Sequence, residues 1–191
     1  MVNLVKNVVA GKPAATGGVL SGPLGTDPRP TGATAPLPAA MVASGYISDD
    51  GLSETNGRDV ERIKAWGGDT VKVLQTEHSV TYEYTMIEAL SAAVNREVYG
   101  EPNVTETPAT VSSGTQIVVE VKSDTLPHRT RAFEIRDGDA KVRIWLPDSQ
   151  IVETGDVSYA DGSVIAYPVT VEAFPDEFGV KAYKFCLLYT S

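Results

Sequence analysis

The chain has 191 residues, of which 42% are hydrophobic and 21% are charged, so it is long enough for one ordinary domain with a real core. Its formal net charge is −9, and residues 1–45 carry +2 while the remainder, with 13 basic and 24 acidic side chains, carries −11. A body this acidic argues against a protein that binds nucleic acid through Lys and Arg, and no apolar run is long enough to span a membrane.

Residues 1–40 are predicted to form an extended arm. Residues 11–40 hold 6 of the 12 prolines and 6 of the 17 glycines, which remove backbone donors and weaken regular structure. Within them, GGVLSG is predicted to form a short edge strand. A flexible linker is the alternative, but the arm carries apolar residues that a spacer would not need, namely Val19, Leu20, Leu24, Leu37 and Met41.

The first residues, MVNLVKNVVAGK, are interrupted by Lys6, and no cleavage site follows them. This pattern does not predict a signal peptide. We therefore expect a protein that is made and assembled in a cytoplasm.

From residue 41 the chain is predicted to be rich in β-structure. MVASGYIS is a predicted strand, and DDGLSETNGRD is a predicted turn. Farther on, apolar residues alternate with polar ones, as in strands with one buried face: Val71, Val73, Val80, Tyr82, Tyr84 and Met86.

The stretch RDVERIKAWGG is predicted to be a charged connection that contacts a neighbouring molecule. Trp66 is a large anchor beside Gly67 and Gly68, and tryptophan is enriched at interface hot spots. An ordinary core tryptophan is the open alternative. The candidate interface residues, including three from the arm, are Arg58, Arg62, Ile63, Lys64, Trp66, Gly67, Gly68, Val19, Leu20 and Leu24.

One helix is predicted in EALSAAVNREVYG. Leu90, Ala93, Val94 and Val98 follow helical spacing, and Gly100 stands at the expected C-cap. EPNVTETPATVSSG is a predicted loop. TQIVVEVKS, RAFEIRDGDAKVRIWLP with its turn at DGD, SVIAYPVTVEAFP and GVKAYKF are predicted strands, and Pro168 indicates an edge strand or a bulge.

The last six residues, CLLYTS, are one reading frame of TGTCTCTTATACACATCT, the end of a transposon used to prepare sequencing libraries. We expect residues 186–191 to be a non-native tail, with a genuine last strand as the alternative. The predicted domains are therefore an arm at 1–40, a β domain at 41–185 and this tail at 186–191.

No catalytic, cofactor or metal site is predicted. The sequence lacks a G-x-S-x-G elbow and a P-loop, and its single cysteine, Cys186, excludes a thiolate cluster. His78 and His128 stand in no metal-ligand spacing, so surface positions are predicted for both.

Three stretches resemble a known family: GYISDDGLSETNGRDVERIKAWGGDTVKVLQTEHSVTYEYTMIEAL, VYG and FEIRDGDAKVRIWLPDSQIVETGDVSY. Over roughly residues 41–185 they look like the major tail protein, or tail tube protein, of long-tailed actinobacterial phages. The ordered pair IKAWGGDTV and RIWLPDSQ is the specific part of this resemblance.

The resemblance implies a mainly β fold, a β-sandwich or partial barrel with one packed helix. It also implies hexameric rings that stack into a hollow tube, with an inner barrel of joined sheets and a negative lumen through which DNA slides. Terminal arms and loops of the family make ring-to-ring contacts, and many relatives carry an additional immunoglobulin-like domain. Candidate acidic residues for the lumen or an interface are Asp49, Asp50, Glu54, Asp59, Glu61, Glu83 and Glu88.

The implied function is structural, without a catalytic cycle and without a cofactor. The implied partners are other copies of the chain, the tape-measure protein, the tail terminator, the baseplate or initiator proteins, and passing DNA that is not specifically bound; no membrane is involved. Two alternatives remain open: another virion β-sandwich, such as a baseplate-proximal protein or head–tail connector, and a secreted carbohydrate- or cell-binding sandwich, which the missing signal peptide disfavours.

Overall fold

The structure is a computed structural model that describes residues 7–14 and 18–188. Within these residues the chain forms ten strands and one α-helix, followed by a short 3-10 turn at Glu101–Asn103. In chain order the elements are β1 (Val19–Pro23), β2 (Val42–Ala43), β3 (Ile47–Lys64), β4 (Thr70–Met86), α1 (Ala92–Tyr99), β5 (Val104–Thr107), β6 (Gln116–Val119), β7 (Arg129–Asp137), β8 (Ala140–Thr154), β9 (Tyr167–Phe174) and β10 (Tyr183–Leu187).

The main sheet is antiparallel and runs in the order β2-β1-β7-β8-β9-β4-β3. Strand β8 is long enough to take two partners in succession on one side. Its residues 141–145 pair with β10 and its residues 148–154 pair with β9. Strands β5 and β6 form a separate two-stranded sheet.

The main sheet curls around its own core. Phe133 of β7 contacts two tyrosines of β4, with ring centroids 5.1 Å from Tyr82 and 5.8 Å from Tyr84. Strands β7 and β4 are separated by β8 and β9 in the sheet, so these contacts require strong curvature. Val94 and Val98 place α1 against the same cluster. The predicted mainly β fold, with one helix packed on a sandwich or partial barrel, is confirmed.

The predicted helix is confirmed, although it begins later than its apolar spacing suggested. It ends at Gly100, whose φ of +91° is a value that glycine adopts readily. The Gly100 N–H donates to the Arg96 carbonyl at 3.0 Å. Leu90 is exposed, so its predicted place on the buried face was wrong. It precedes the N-cap, Ser91, and therefore lies outside the helical repeat.

A buried ion pair connects the helix to the sheet. Arg131 of β7 donates to the Glu97 carboxylate of α1 at 2.8 Å, and both side chains are almost completely buried. Ser21 of β1 also donates to this carboxylate. Arg131 makes two further bonds, to the carbonyl and the hydroxyl oxygen of Ser149 in β8. Three strands and the helix are thus fixed to one another by one charged cluster.

The predicted turn at DDGLSETNGRD was wrong, because the whole stretch lies within β3. The register shifts between the pairs Ile47–Met86 and Leu52–Tyr84, so the residues between them form an irregularity. Gly51, with φ of +75°, lies in this irregularity. Turn-forming residues are accommodated here because β4 offers a continuous partner strand.

Two further predictions needed correction. The predicted loop at EPNVTETPATVSSG contains β5, which pairs with β6. Pro168 was predicted at an edge or bulge, but β9 has β8 on one side and β4 on the other. The register shift in β8 lies between Ile151 and Glu153, opposite Val171 and Thr170. The proline is accommodated because it is the second residue of its strand, near the strand start.

The described part of the predicted arm packs against the body. Residues 19–22 of the predicted strand GGVLSG belong to β1, which lies between β7 and the two-residue β2. Arg143 of β8 donates to the carbonyls of Gly32 at 2.9 Å and Ala35 at 2.7 Å. A second small core forms around Trp145, on the face of the sheet opposite the main core. It contains Ala132, Met41, Leu37, Leu20, Tyr183 and Phe185.

Strand β10 ends within the stretch predicted to be non-native. Cys186 and Leu187 pair with Val142 and Lys141 of β8, while residues 189–191 lie outside the described part. Residues 1–6 and 15–17 of the predicted arm also lie outside it. The proposed boundary at residue 186 stays a prediction. Across the described ranges, no helix has both the length and the apolar character needed to cross a bilayer.

Candidate assembly surfaces

The largest exposed feature is the distal half of the β3–β4 hairpin, residues 58–77. Every residue in this range is exposed, although the two strands stay paired up to Lys64 and Thr70. The ladder contains bulges after the pairs Asp59–Glu77 and Ile63–Lys72. An isolated two-stranded ribbon is only marginally stable in water. We therefore expect a second layer to cover it when the protein functions.

Trp66 lies in the hairpin loop with its side chain 107% exposed, which excludes its reading as a core tryptophan. The loop is closed by bonds from the Ala65 N–H to the Asp69 carbonyl at 2.8 Å and from the Gly68 N–H to the Ala65 carbonyl at 3.0 Å. Gly67 and Gly68 have φ of +108° and +98°, which glycine adopts readily. The five-residue loop thus presents one large aromatic side chain to solvent.

Most other candidate interface residues lie beside Trp66. Arg62, Ile63 and Lys64 are the last three residues of β3, rather than part of the predicted connection, and all are exposed. Arg58 is held across the hairpin by a bond to the Gln75 side chain at 2.8 Å. Residues 62–68 therefore form one surface at the hairpin tip, whereas Arg58 lies nearer the body, opposite His78.

The three candidate residues from the arm lie elsewhere and do not form one surface. Val19 is 3% exposed and belongs to the main core, so it offers nothing to a neighbour. Leu20 packs against the small core around Trp145. Leu24 is exposed beside that core.

Where residues 150–153 of β8 pair with β9, and across β9, β4 and β3, the convex face of the sheet is polar and acidic. It presents the residues that alternate with the buried Tyr82, Tyr84, Val169 and Val171. One row runs across four strands as Glu153, Thr170, Glu83 and Ser53, and the next runs as Gln150, Glu172, Thr81 and Thr55. We call these eight residues the outer face. They include three carboxylates and no basic side chain.

The outer face continues onto the hairpin, where Asp59 pairs directly with Glu77. Like charges directly opposite each other on a sheet are destabilising. Such a pair is therefore more readily explained by a surface requirement than by folding stability.

The seven candidate acidic residues do not all lie on one surface. Glu83 belongs to the outer face, and Asp59 and Glu61 lie on the hairpin beyond it. Glu54 instead accepts a bond from Lys184 at 2.6 Å, and Glu88 accepts the Tyr46 N–H at 2.8 Å. Asp49 and Asp50 occupy the irregular stretch of β3, where Asp50 accepts a 3.4 Å bond from Ser48.

Sequence reasoning missed Glu77, Glu153 and Glu172. Glu172 stands on the polar side of the alternation in VTVEAF, and Glu77 stands on the polar side of the alternation that precedes Val80. Glu153 reaches this face through the register shift between Ile151 and Glu153, which the sequence pattern did not indicate. The alternation identifies a polar side for each strand separately. The pairing of β8, β9 and β4 was needed to place these sides on one surface.

Two of the grooves in the described part of the chain are large and lie outside the hairpin. One, of about 570 Å³, lies between β1, β2 and α1, and its charged lining includes Arg96, Arg129, Glu97 and Glu101. The other, of about 740 Å³, is lined by residues 24–27 and 29–31, by residues of β7 and β8, by the loop after β9, and by Trp145 and Phe185 at the small core. We call the second one the Trp145 groove. In the described residues, no group of three His, Cys, Asp or Glu side chains is arranged to hold a metal ion.

The comparison with known families gives a match over nearly the whole chain. The model of the family described as "Phage tail tube protein" matches residues 7–186. A search of curated proteins gave no match. The match includes the hairpin, the outer face and both grooves. The chain therefore belongs to the phage tail tube protein family, a family of structural virion proteins and not of enzymes.

Proposed function

We propose that copies of this chain assemble into stacked hexameric rings that form a phage tail tube, through which DNA is delivered. The observation that carries this proposal, beyond family membership, is the outer edge of β3. Strand β3 ends the main sheet, so in the described structure its 18 residues present unpaired backbone donors and acceptors on one side.

An exposed edge of this length is normally a liability, because it can pair with another chain. The same property is useful in a protein that polymerises, since a neighbour can extend the sheet by strand addition. Strand β4 provides a second open edge on the opposite side of the hairpin, because β9 pairs only with its residues 81–86 and leaves the distal part open. The sheet is thus suited to join with sheets of neighbouring copies.

The outer face gives the orientation of the subunit in the proposed tube. Its carboxylates and hydroxyl groups would line the lumen, where negative charge repels the phosphates of passing DNA and prevents strong binding. The opposite face of the sheet packs against α1 and the core, so it is not available for this role. The ring of six is the number that the family resemblance implies.

The proposed partners rest on the resemblance, and the open sheet edges support contacts between copies. Other copies make the ring and ring-to-ring contacts, the tape-measure protein occupies the lumen before ejection, and a terminator and baseplate or initiator proteins contact the two ends. Assembly takes place in the cytoplasm of the host, and the host is proposed to be an actinobacterium infected by a long-tailed phage.

Negative-stain electron microscopy of the purified chain, alone and with tail initiator proteins, tests the proposal. Long hollow tubes or stacked rings are the expected result. Assembly that stops at one or two rings would favour the head–tail connector or baseplate-proximal alternative. A chain that stays monomeric with initiator and binds carbohydrate or cell surfaces would favour the secreted binding sandwich.

A further inference from the structure

We infer that the tip of the β3–β4 hairpin in one copy docks into the Trp145 groove of a neighbouring copy. This inference rests on the proposed function, because it requires copies to assemble. It adds the identity of two surfaces that meet and the chemistry by which they recognise each other.

The tip is a basic surface with an apolar anchor. Between residues 62 and 72 the charged side chains are Arg62, Lys64, Lys72 and Asp69, which gives a net charge of +2. Trp66 projects fully exposed from the loop, and Ile63 is exposed next to it. An aromatic anchor surrounded by charged residues is a common composition of an interface centre and its rim.

The tip is held away from its own body. Seven residue steps of paired strand separate Gly57, at the body, from Lys64, which corresponds to roughly 25 Å of extended chain. Because both strands remain in one ladder over this distance, the loop cannot fold back onto its own groove. A tip that docks in this groove must then belong to another copy.

The Trp145 groove is complementary to the tip. The charged residues in its lining are Asp27, Asp148, Asp176, Glu177 and Arg29, a net charge of −3. Its volume of about 740 Å³ is in the range of pockets that bury most of a ligand. Phe178 is 74% exposed and Leu24 is also exposed at this groove, so apolar surface is available for Trp66.

The groove between β1, β2 and α1 is a poorer match for the same tip. Its two arginines, Arg96 and Arg129, are balanced by Glu97 and Glu101. Glu97 and Glu101 are also already paired with these arginines or with Arg131. In the Trp145 groove, Asp148 contacts His128 at 2.6 Å and Asp176 accepts a bond from the Tyr183 hydroxyl at 2.7 Å, while Asp27 and Glu177 are exposed. Charge complementarity therefore selects this groove, where the acidic side chains are in excess.

Cross-linking between copies tests this contact directly. In a Cys186→Ser background, Ala65→Cys places a thiol beside Trp66, and Thr31→Cys places one in the groove lining without removing its charges. A matched control combines Ala65→Cys with Val111→Cys, which is fully exposed in the loop between β5 and β6. The reagent is a short bismaleimide, applied to assembled tubes and analysed by denaturing electrophoresis.

We expect the groove pair to give a ladder of linked copies at least about tenfold more intense than the control pair, because docking raises the local thiol concentration. Tubes that form normally but link no more than the control would overturn this inference and leave the proposed function intact. If the unmodified chain forms neither rings nor tubes with its initiator, the proposed function fails and the inference fails with it.

Charge exchange gives an independent readout. Lys64→Glu and Glu177→Lys should each reduce the yield of tubes severalfold, and the double variant should restore most of it, because the ion pair is reversed rather than lost. Both side chains are exposed, so folding should be unaffected in each variant. Additive losses in the double variant would show that these residues do not meet.

Discussion

Buried charges distinguish the core of this protein from an ordinary apolar one. Glu97 and Arg131 are taken out of water together, and each retains additional polar partners, Ser21 for the carboxylate and Ser149 for the guanidinium. Such a pair contributes little net stability compared with apolar residues, but removing one member leaves a buried uncompensated charge. Its structural effect is to fix α1 relative to the sheet.

The Glu97→Gln variant tests this ion pair. We expect the free energy of unfolding to fall by about 3 kcal/mol, because Arg131 stays buried without its counter-charge. Glu101→Gln is the matched control, since that carboxylate also pairs with arginine but is 61% exposed, and it should lower stability by less than about 1 kcal/mol. Chemical denaturation gives both values, and equal losses would contradict the assigned role of burial.

A second residue-scale prediction concerns pH. Burial raises the pKa of Tyr84 to about 12 from its ordinary value of 10, against the opposing effect of the Arg131 guanidinium. The folded state therefore retains the proton more strongly than the unfolded state. The stabilisation that comes from keeping Tyr84 protonated is fully present below pH 10 and is lost as the pH rises through 12. The total loss in the free energy of unfolding is on the order of 3 kcal/mol.

The Tyr84→Phe variant should show a shallower loss of stability above pH 10. Burial also raises the pKa of Tyr82, so part of the alkaline loss should persist. Tyr159→Phe is the control, because Tyr159 is exposed and should keep the full pH dependence. Denaturant unfolding at a series of alkaline pH values measures the slopes, and identical slopes in all three proteins would contradict the prediction.

At the scale of elements, the β3–β4 hairpin has one half that contributes to the core and one half that we propose to act in assembly. Its proximal half supplies Tyr82, Tyr84 and Met86 to the core, whereas residues 58–77 are exposed throughout. Exposed side chains contribute little to the stability of an isolated subunit. The distal half is therefore expected to matter only when neighbouring copies are present.

Shortening the hairpin tests this division. Replacing residues 59–77 with Asn-Gly joins Arg58 to His78 through a two-residue turn, which matches the twist of an antiparallel pair. The unfolding free energy should change by less than about 1 kcal/mol, while tube formation should be lost. A control that shortens the exposed loop 108–115 should keep the ability to form tubes. Normal tubes from the shortened hairpin would contradict the assembly role.

At the scale of the whole molecule, different surfaces carry charge of different sign. The outer face holds Glu83, Glu153 and Glu172 without a basic residue, while the tip of the hairpin is basic and the Trp145 groove is acidic. The net charge of −9 is therefore a sum over surfaces with different proposed roles. Docking of the basic tip would leave the lumen-facing carboxylates unneutralised.

Reversing charge on the outer face should convert the tube into a DNA-binding surface. Tubes of the variant carrying Glu83→Lys, Glu153→Lys and Glu172→Lys should co-sediment with DNA at low salt and release it at high salt, whereas unmodified tubes should not bind. A control of equal net charge reverses the exposed loop residues Asp139, Asp156 and Asp161. DNA retention that is equal in both variants would contradict the assignment of the outer face to the lumen.

The sequence by itself determined the local elements of this protein. The strand alternation that ends at Met86, the β7–β8 turn at Gly138 and the helix ending at Gly100 all depend on residues within a few positions of one another. The charged stretch around Trp66 is also a local pattern, so the sequence alone indicated it as a candidate surface. The order of these motifs along the chain also carried the family resemblance.

Only the tertiary structure decided which of these elements share a surface. The stretch DDGLSETNGRD became strand because β4 pairs along it, and Val19 became core because β7 and β4 enclose it. Likewise, Glu153, Glu83 and Glu172 became neighbours because β9 pairs with β8, 15 to 26 positions away, and with β4, 81 to 91 positions away. Backbone pairing and burial are set by long-range contacts that override local propensity, so exposure and shared faces follow from the folded sheet.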